Sequence, residues 1–192
     1  MSNKDVSVVL AGVGGQGILL ASDVMAHAAI NAGYDVKTNE IHGMAQRGGA
    51  VTAQIHYGDQ VNSPIIQKGK ASVIGALEPI EALRNYDYLT SDGLAVVNLQ
   101  NIIPVTVSMG KAEYPDDIDE RLEDAFDNLI AIDAGEKASE LGNIKTANVI
   151  ILGALSQGLE ISEQDWKDSI KECVKPDFID INLKAFQIGR EM

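Results

Sequence analysis

A single cysteine, Cys173, stands in 192 residues. That scarcity excludes an intrachain disulfide, and it excludes an iron-sulfur cluster ligated wholly by this chain, since such a cluster needs about four thiolates. Cys173 sits in DSIKECVK with Ser169 and Ile170 at i−4 and i−3, the setting of a buried core thiol rather than a reactive one. Basic residues are also few: 15 Lys and Arg against 28 Asp and Glu leave a net charge of −13. Such a field repels phosphate backbones and argues against nucleic acid or an anionic membrane as partner. No apolar run reaches the roughly 18–20 residues of a membrane span. The start, MSNKDVSVVLAG, lacks a basic region followed by a cleavable apolar segment, so the expected location is the cytoplasm. The three histidines have no metal-ligand spacing, and no Ser-His-Asp or Cys-His pairing can be argued from spacing. Internal repeats and low-complexity linkers are absent, and the length fits one domain over residues 1–192.

What is present is an alternation of strand and helix signals. VSVVLAG is a continuous β-branched run ending in glycine, as expected of a central strand covered on both faces. From Gly17 to Ala32 a helix is expected, with Asp23, His27 and Asn31 recurring on its polar face, His27 pairing with Asp23, and Gly33 closing it. YDVKTNE reads as a second strand, completing strand, glycine loop, helix, strand. AVTAQIHYG alternates, with Val51, Ala53, Ile55 and Tyr57 on one face and Thr52, Gln54 and His56 on the other. ASVIGAL, LAVVN, IIPVTV and LIAIDA are further strand candidates, with SDG as a turn before LAVVN. EPIEALRNY is a helix opened by Pro79, and PDDIDERLEDAFDN is a helix with a solvated acidic face. The last third turns helical. TANVIILGALSQG starts at a Thr146 N-cap and is apolar nearly all round, so it is either central to the core or set against a partner. SEQDWKDSIKECVK carries Ser162 and Asp165 in capping positions. DFIDINLKAFQIGRE presents an apolar stripe from Phe178 to Ile188. The fold class is α/β, a Rossmann-like layered sheet flanked by helices with a helical C-terminal third.

Two stretches carry chemistry. In AGVGGQGILLAS, glycines at Gly12, Gly14 and Gly17 allow a tight turn and let backbone N–H groups and a helix N-terminus approach an anion. An NAD site also needs an acidic residue about 20 positions on, at the end of the second strand. Asp35 opens that strand and Glu40 lies beyond its natural end, so neither fits well. A different anion, or a turn that lets helix and sheet pack closely, remains open. The second stretch is EIHGMAQRGGAV. Arg47, flanked by Gly48 and Gly49, can meet a carboxylate or phosphate with its planar fork, and His42 stands five residues before it. A salt bridge between loops or subunits is the plainer alternative, yet nine irregular residues exceed what a connection needs.

GVGGQGILLAS, EIHGMAQRGGAV, VNSPII, EPIEALR, TANVIILGAL and INLKAFQIGR together resemble the gamma-type subunits of 2-oxoacid:ferredoxin oxidoreductases, over essentially the whole chain. GGQG with a downstream RGG marks the wider family. Glu40-Ile41-His42 before GMAQRGG is similar to the indolepyruvate branch, whereas the pyruvate and 2-oxoglutarate branches tend to carry tyrosine and glycine in place of His42-Gly43. The resemblance implies an accessory, non-catalytic subunit, inactive alone. Its complex would convert an aryl 2-oxoacid such as indolepyruvate, with coenzyme A and oxidised ferredoxin, into arylacetyl-CoA, carbon dioxide and reduced ferredoxin. A gamma subunit for pyruvate, 2-oxoglutarate or a branched-chain 2-oxoacid is the alternative within the family. Thiamine diphosphate, magnesium and the iron-sulfur clusters are implied on a large alpha-type partner, with ferredoxin reached through the complex. Consistent with that, no Gly-Asp-Gly with a following Asn-Asn occurs, and SDGLAVVN at Ser91–Asn98 lacks the first glycine. For this chain the resemblance implies no catalytic residue and no metal ligand. It assigns Gly12, Gly14, Gly15, Gln16, Gly17, His42, Arg47, Gly48 and Gly49 to the anionic end of coenzyme A or to the subunit interface. Two rival readings are a stand-alone Rossmann nucleotide-binding oxidoreductase and a pure scaffold that touches neither substrate nor cofactor.

Overall fold

The computed structural model describes residues 5–43, 49–103, 105–111 and 113–192. In chain order the elements are β1 (Asp5–Val13), α1 (Ile18–Asn31), β2 (Asp35–His42), β3 (Ala50–Gly58), β4 (Ala71–Ala76), α2 (Pro79–Asn85), β5 (Leu89–Asn98), α3 (Val105–Ser108), α4 (Ile118–Ala125), β6 (Leu129–Ile132), α5 (Ala134–Glu140), α6 (Ala147–Leu155), α7 (Glu163–Cys173) and α8 (Ile179–Arg190). The six strands form one sheet in the order β2-β3-β1-β4-β5-β6. β4, β5 and β6 run parallel to β1, whereas β3 is antiparallel to both β1 and β2.

The expected strand, glycine loop, helix, strand unit is therefore present with its two strands parted. β3 lies between them, paired Asp5↔Gly58 through Val13↔Ala50 on one side and Asp35↔Gly58 through His42↔Val51 on the other. Burial explains the order. β3 sets Val51, Ala53, Ile55 and Tyr57 into the core and buries Gln54 from its other face, where Oε1 accepts from the Ile66 N–H at 3.2 Å. β2, with Lys37, Thr38, Asn39 and Glu40, has a polarity that suits a sheet edge.

Side chains alternate between two cores. Val8, Leu10, Val73, Leu94 and Val96 face a large cluster under α1, α6, α7 and α8; Val9, Ile74, Ala95 and Val97 face a smaller one that includes Ala82, Leu122 and Phe126 from the region of α2 and α4. The sheet is thus covered on both faces, which is why its central strands read as continuous apolar runs. α6 takes the central option: every residue from Asn148 to Leu155 is buried. It meets α8 backbone to backbone. A Cβ on Gly153 would stand 2.1 Å from the Phe186 carbonyl oxygen, and one on Gly189 would stand 1.9 Å from that of Ile150.

Several expectations are corrected. Ser91, Asp92 and Gly93 lie inside β5, where the register against β4 slips between Ala71↔Leu89 and Val73↔Leu94, so they form an irregularity within the strand and not a turn before it. In place of a strand at IIPVTV, Val105–Ser108 is one turn of helix; Pro104 lies outside the described residues. Thr146 stands at the N-cap of α6 as expected but makes no side-chain capping bond; its hydroxyl donates to the Asn143 carbonyl at 2.9 Å. His27 bonds Glu172 of α7 at 3.1 Å instead of Asp23, since α7 packs beside α1. Phe178 is exposed, ahead of the stripe that Ala185 and Phe186 bury. Cys173 is only half-buried against the core, with its thiol pushed up by desolvation. Ser162 caps α7 as expected, accepting from the Asp165 N–H at 3.1 Å.

Replacing Gly153 by alanine is expected to push α6 off α8 and cost about 1–3 kcal/mol, as overpacking does. Thermal unfolding followed by circular dichroism measures this as a midpoint lowered by about 2–4 °C per kcal/mol.

Candidate functional site at the carboxyl edge of the sheet

β1 and β4 are neighbours, but the chain leaves β1 toward β3 and β2 on one side and returns to β4 on the other. A crevice opens where the strand order reverses in this way, outside the carboxyl ends of the strands. The glycine loop builds one wall. Gly15 and Gly17 have φ of 107° and 82°, a left-handed backbone that disfavours side chains. Any Cβ on Gly17 would also stand 2.6 Å from Nδ2 of Asn148.

Gln16 holds the loop down. Its Oε1 accepts from the Val13 N–H at 2.8 Å and its Nε2 donates to the Leu77 carbonyl at 2.6 Å. The same carbonyl accepts from Nδ2 of Asn98 at 3.2 Å, and Oδ1 of Asn98 accepts from the Ala134 N–H at 3.0 Å. The ends of β1, β4 and β5 and the start of α5 are thereby tied together. From α6, Asn148 donates through Nδ2 to the Gly17 carbonyl at 3.1 Å. Its Oδ1 is buried without a hydrogen-bond partner among the described residues. Next to Leu77, the buried carboxylate of Glu78 accepts from the Tyr114 hydroxyl at 2.7 Å; burial and that carboxylate hold the phenol well above its ordinary range, so it stays a donor.

Two hollows flank the loop. One, of about 320 Å³, is lined by Gly15, Gln16 and Gly17 with Leu77, Asn98, Gln100, Lys145 and Asn148 among others. The second, of about 660 Å³, lies on the side of the β2–β3 connection and is lined by Val13, Gly14, Gly15, Gly17, Ile18, Leu19, His42, Gly43 and Val51. The two stretches singled out in the sequence do meet: the Gly14 N–H donates to the Gly49 carbonyl at 2.9 Å. His42 is half exposed, with Nε2 3.7 Å from Glu40. Gly12 is the penultimate residue of β1, where a Cβ would stand 2.9 Å from Oε1 of Gln16. Arg47 and Gly48 lie outside the described residues.

Asn98, Asn148 and Leu77 escaped the sequence reading. The available signal was an asparagine inside an otherwise apolar run, in LAVVN and in TANVIILGAL, because a buried amide must be bonded to something. The geometry also bears on dinucleotide binding. With β3 beside β1, Glu40 stands one strand further out, a step of about 4.8 Å, from where the ribose-binding acid of a dinucleotide fold would be. Asp35 is engaged elsewhere, with Lys37 and with the Val61 N–H at 2.9 Å, and these hold its carboxyl below the usual range. Among the described residues, no group of three or more His, Cys, Asp or Glu gathers as a metal site, and no helix is long and apolar enough to cross a membrane.

Gln16→Leu removes both side-chain bonds and leaves the Val13 N–H unsatisfied. It is expected to lower stability by about 1–3 kcal/mol, read as a lower urea midpoint at unchanged slope.

Comparison with known proteins places this edge in a family. The profile of the pyruvate ferredoxin/flavodoxin oxidoreductase family matches residues 7–192. The indolepyruvate oxidoreductase subunit IorB of Thermococcus kodakarensis is 45% identical over 191 residues, covering 97% of this chain and 95% of the relative. The 2-oxoglutarate synthase subunit KorC of Methanothermobacter marburgensis is more distant, 30% identical over 187 residues that cover 95% of this chain and 94% of its own. Among solved structures, the gamma subunit of a keto/oxoacid ferredoxin oxidoreductase from Geobacter sulfurreducens shares the fold with a TM-score of 0.71 at 23% identity, covering 97% of this chain and 96% of that one. The chain belongs to the pyruvate ferredoxin/flavodoxin oxidoreductase family.

Proposed function

We propose that this chain is the accessory, non-catalytic subunit of an indolepyruvate:ferredoxin oxidoreductase. The observation that carries the reading is the near full-length 45% identity to a subunit named for indolepyruvate, against 30% for one named for 2-oxoglutarate. The proposed reaction converts indolepyruvate, coenzyme A and two oxidised ferredoxins into indoleacetyl-CoA, carbon dioxide, a proton and two reduced ferredoxins.

Thiamine diphosphate with magnesium would supply the decarboxylation chemistry and iron-sulfur clusters the electron path, both on a large partner subunit. The donor set here does not fit them: one half-buried cysteine cannot hold a cluster. What this chain's residues would do is bind and orient. The His42 side of the glycine loop, with Gly14, Gly15 and Gly49, and with Arg47 and Gly48 from the same connection, would hold the anionic end of coenzyme A or seat the subunit interface. In support, α1 starts at Gly17 with no side-chain cap and no acidic residue in its first turn, so the positive end of its dipole is uncompensated. The compartment proposed is the cytoplasm. A stand-alone dinucleotide oxidoreductase is disfavoured by the strand that separates β1 from β2.

The test is an anaerobic assay of ferredoxin reduction by indolepyruvate and coenzyme A, with the chain alone and co-purified with a large thiamine-dependent subunit. Activity is expected only in the complex. Within it, Arg47→Ala and His42→Ala should raise the KM for coenzyme A by about tenfold with kcat nearly unchanged, the signature of lost ground-state binding. Wild-type KM in both variants would assign the loop to the interface or to structure alone. Nucleotide-dependent redox activity from the isolated chain would overturn the proposal.

A further inference from the structure

We infer that the crevice between the carboxyl ends of β1 and β4 receives an aspartate or glutamate side chain from a segment of the large partner subunit, with a backbone N–H of that segment donating to Oδ1 of Asn148. The inference rests on the subunit reading above and adds the chemistry of the partner, on the face of the glycine loop opposite His42.

Charge distribution is the first ground. The chain carries a net −13, yet among the described residues no carboxylate lines this crevice, and Lys145 is the cation among those that do. Lys145 is exposed and makes no ion pair among the described residues. Beside it opens the N-terminus of α1, a 14-residue helix without a capping side chain or a first-turn acid. α2, α5 and α7 carry both devices, Glu78 with Glu81, Asp133 with Glu136, and Ser162 with Glu163 and Asp165, whereas α6, whose first residues Ala147 and Asn148 line the same crevice, carries neither. The N–H groups of Ile18, Leu19 and Leu20 have no acceptor within the helix, by the geometry of any α-helix start.

The second ground is Asn148. It is 3% exposed, its Nδ2 is used by the Gly17 carbonyl, and its Oδ1 has no hydrogen-bond partner among the described residues. A buried acceptor is costly until a donor reaches it. An occupant must therefore bring an anion for the helix end and Lys145 together with a donor for Asn148. A polypeptide offers both, as a side-chain carboxylate and a main-chain N–H.

Charge count separates this occupant from a phosphorylated one. One described ammonium and the partial charges of two helix starts, α1 and α6, suit a carboxylate, whereas a diphosphate brings several full negative charges against that ammonium in an acidic field. The rim agrees: Ile144 is 53% exposed in the crevice and Leu19 is 44% exposed in the adjoining hollow. Apolar contacts ringing a desolvated charge pair are the make-up of a protein interface hot spot.

The test uses the assembled two-subunit complex. Lys145→Glu should weaken assembly of the chain with the large subunit by about tenfold or more, as like charges brought together at a buried interface do. Lys145→Arg should restore it, and Lys70→Glu, the same charge change at the amino end of β4, should leave it at the wild-type value. Carbodiimide treatment of the wild-type complex should link Lys145 to an aspartate or glutamate of the large subunit, identified by mass spectrometry. Wild-type assembly of Lys145→Glu overturns the inference alone. So does binding of inorganic pyrophosphate or ADP to the chain that is lost in Lys145→Glu while assembly stays intact, which would make the crevice a small-anion site. A wild-type chain that joins no large subunit overturns the subunit reading and this inference with it.

Discussion

A side-chain amide standing in for a peptide unit holds the carboxyl edge of this sheet together. The parallel ladder between β1 and β4 ends at Ala11↔Ala76, with one last bond from the Leu77 N–H to the Ala11 carbonyl. Beyond that point the strands diverge, and Gln16 folds back to accept from Val13 and donate to Leu77, the two bonds that a further strand residue would have made. Asn98 extends the same device to β5 and α5. The glycine loop is thereby a rigid rim over a crevice, and not a mobile cover. Rigid rims suit recognition, because little ordering entropy is spent on contact.

The second dependence is between the last third of the chain and that rim. α6 reaches its place because Gly153 and Gly189 let two helices touch through their backbones, with Trp166 and Phe186 packed nearby in the same core. Its N-terminal turn then delivers Asn148 beneath Gly17. Glycine at 17 is required twice over, by a φ of 82° and by an amide nitrogen where a Cβ would sit. The helical third is therefore part of the site, although nothing in its apolar sequence announces a functional role.

In this acidic chain, one crevice at the carboxyl edge is lined by described residues without a carboxylate. Several cations elsewhere are paired, as with Lys37 and Asp35, Lys68 and Asp87, Arg121 and Asp117, and Lys167 and Glu163. Exposed pairs of that kind add little stability. The charge left over is a net −13, and within it the uncapped start of α1 opens beside Lys145.

Much of this was legible in the chain itself. The apolar run of β1, the left-handed glycines, the alternation of β3, the Ser162 cap and the layered α/β class follow from local sterics and periodicity, which act over a few residues and are written in order along the sequence. Strand order is different. Whether β3 lies beside β2 or between β2 and β1 depends on which strand has the more apolar surface to bury when all compete for the same neighbour, and no window of sequence contains that comparison. The same holds for the site. Gly12 to Gly17 and His42 stand out by their spacing, whereas Leu77, Asn98 and Asn148 acquire their roles only when β4, β5 and α6 converge on the loop. A hydrogen bond spanning 131 residues, from Asn148 to Gly17, has no local signature. Composition and motif determined the class of fold and the family; tertiary packing decided which face of the glycine loop is acid-free, amide-lined and open, because burial and charge are properties of a surface, and a surface exists only once the chain has folded.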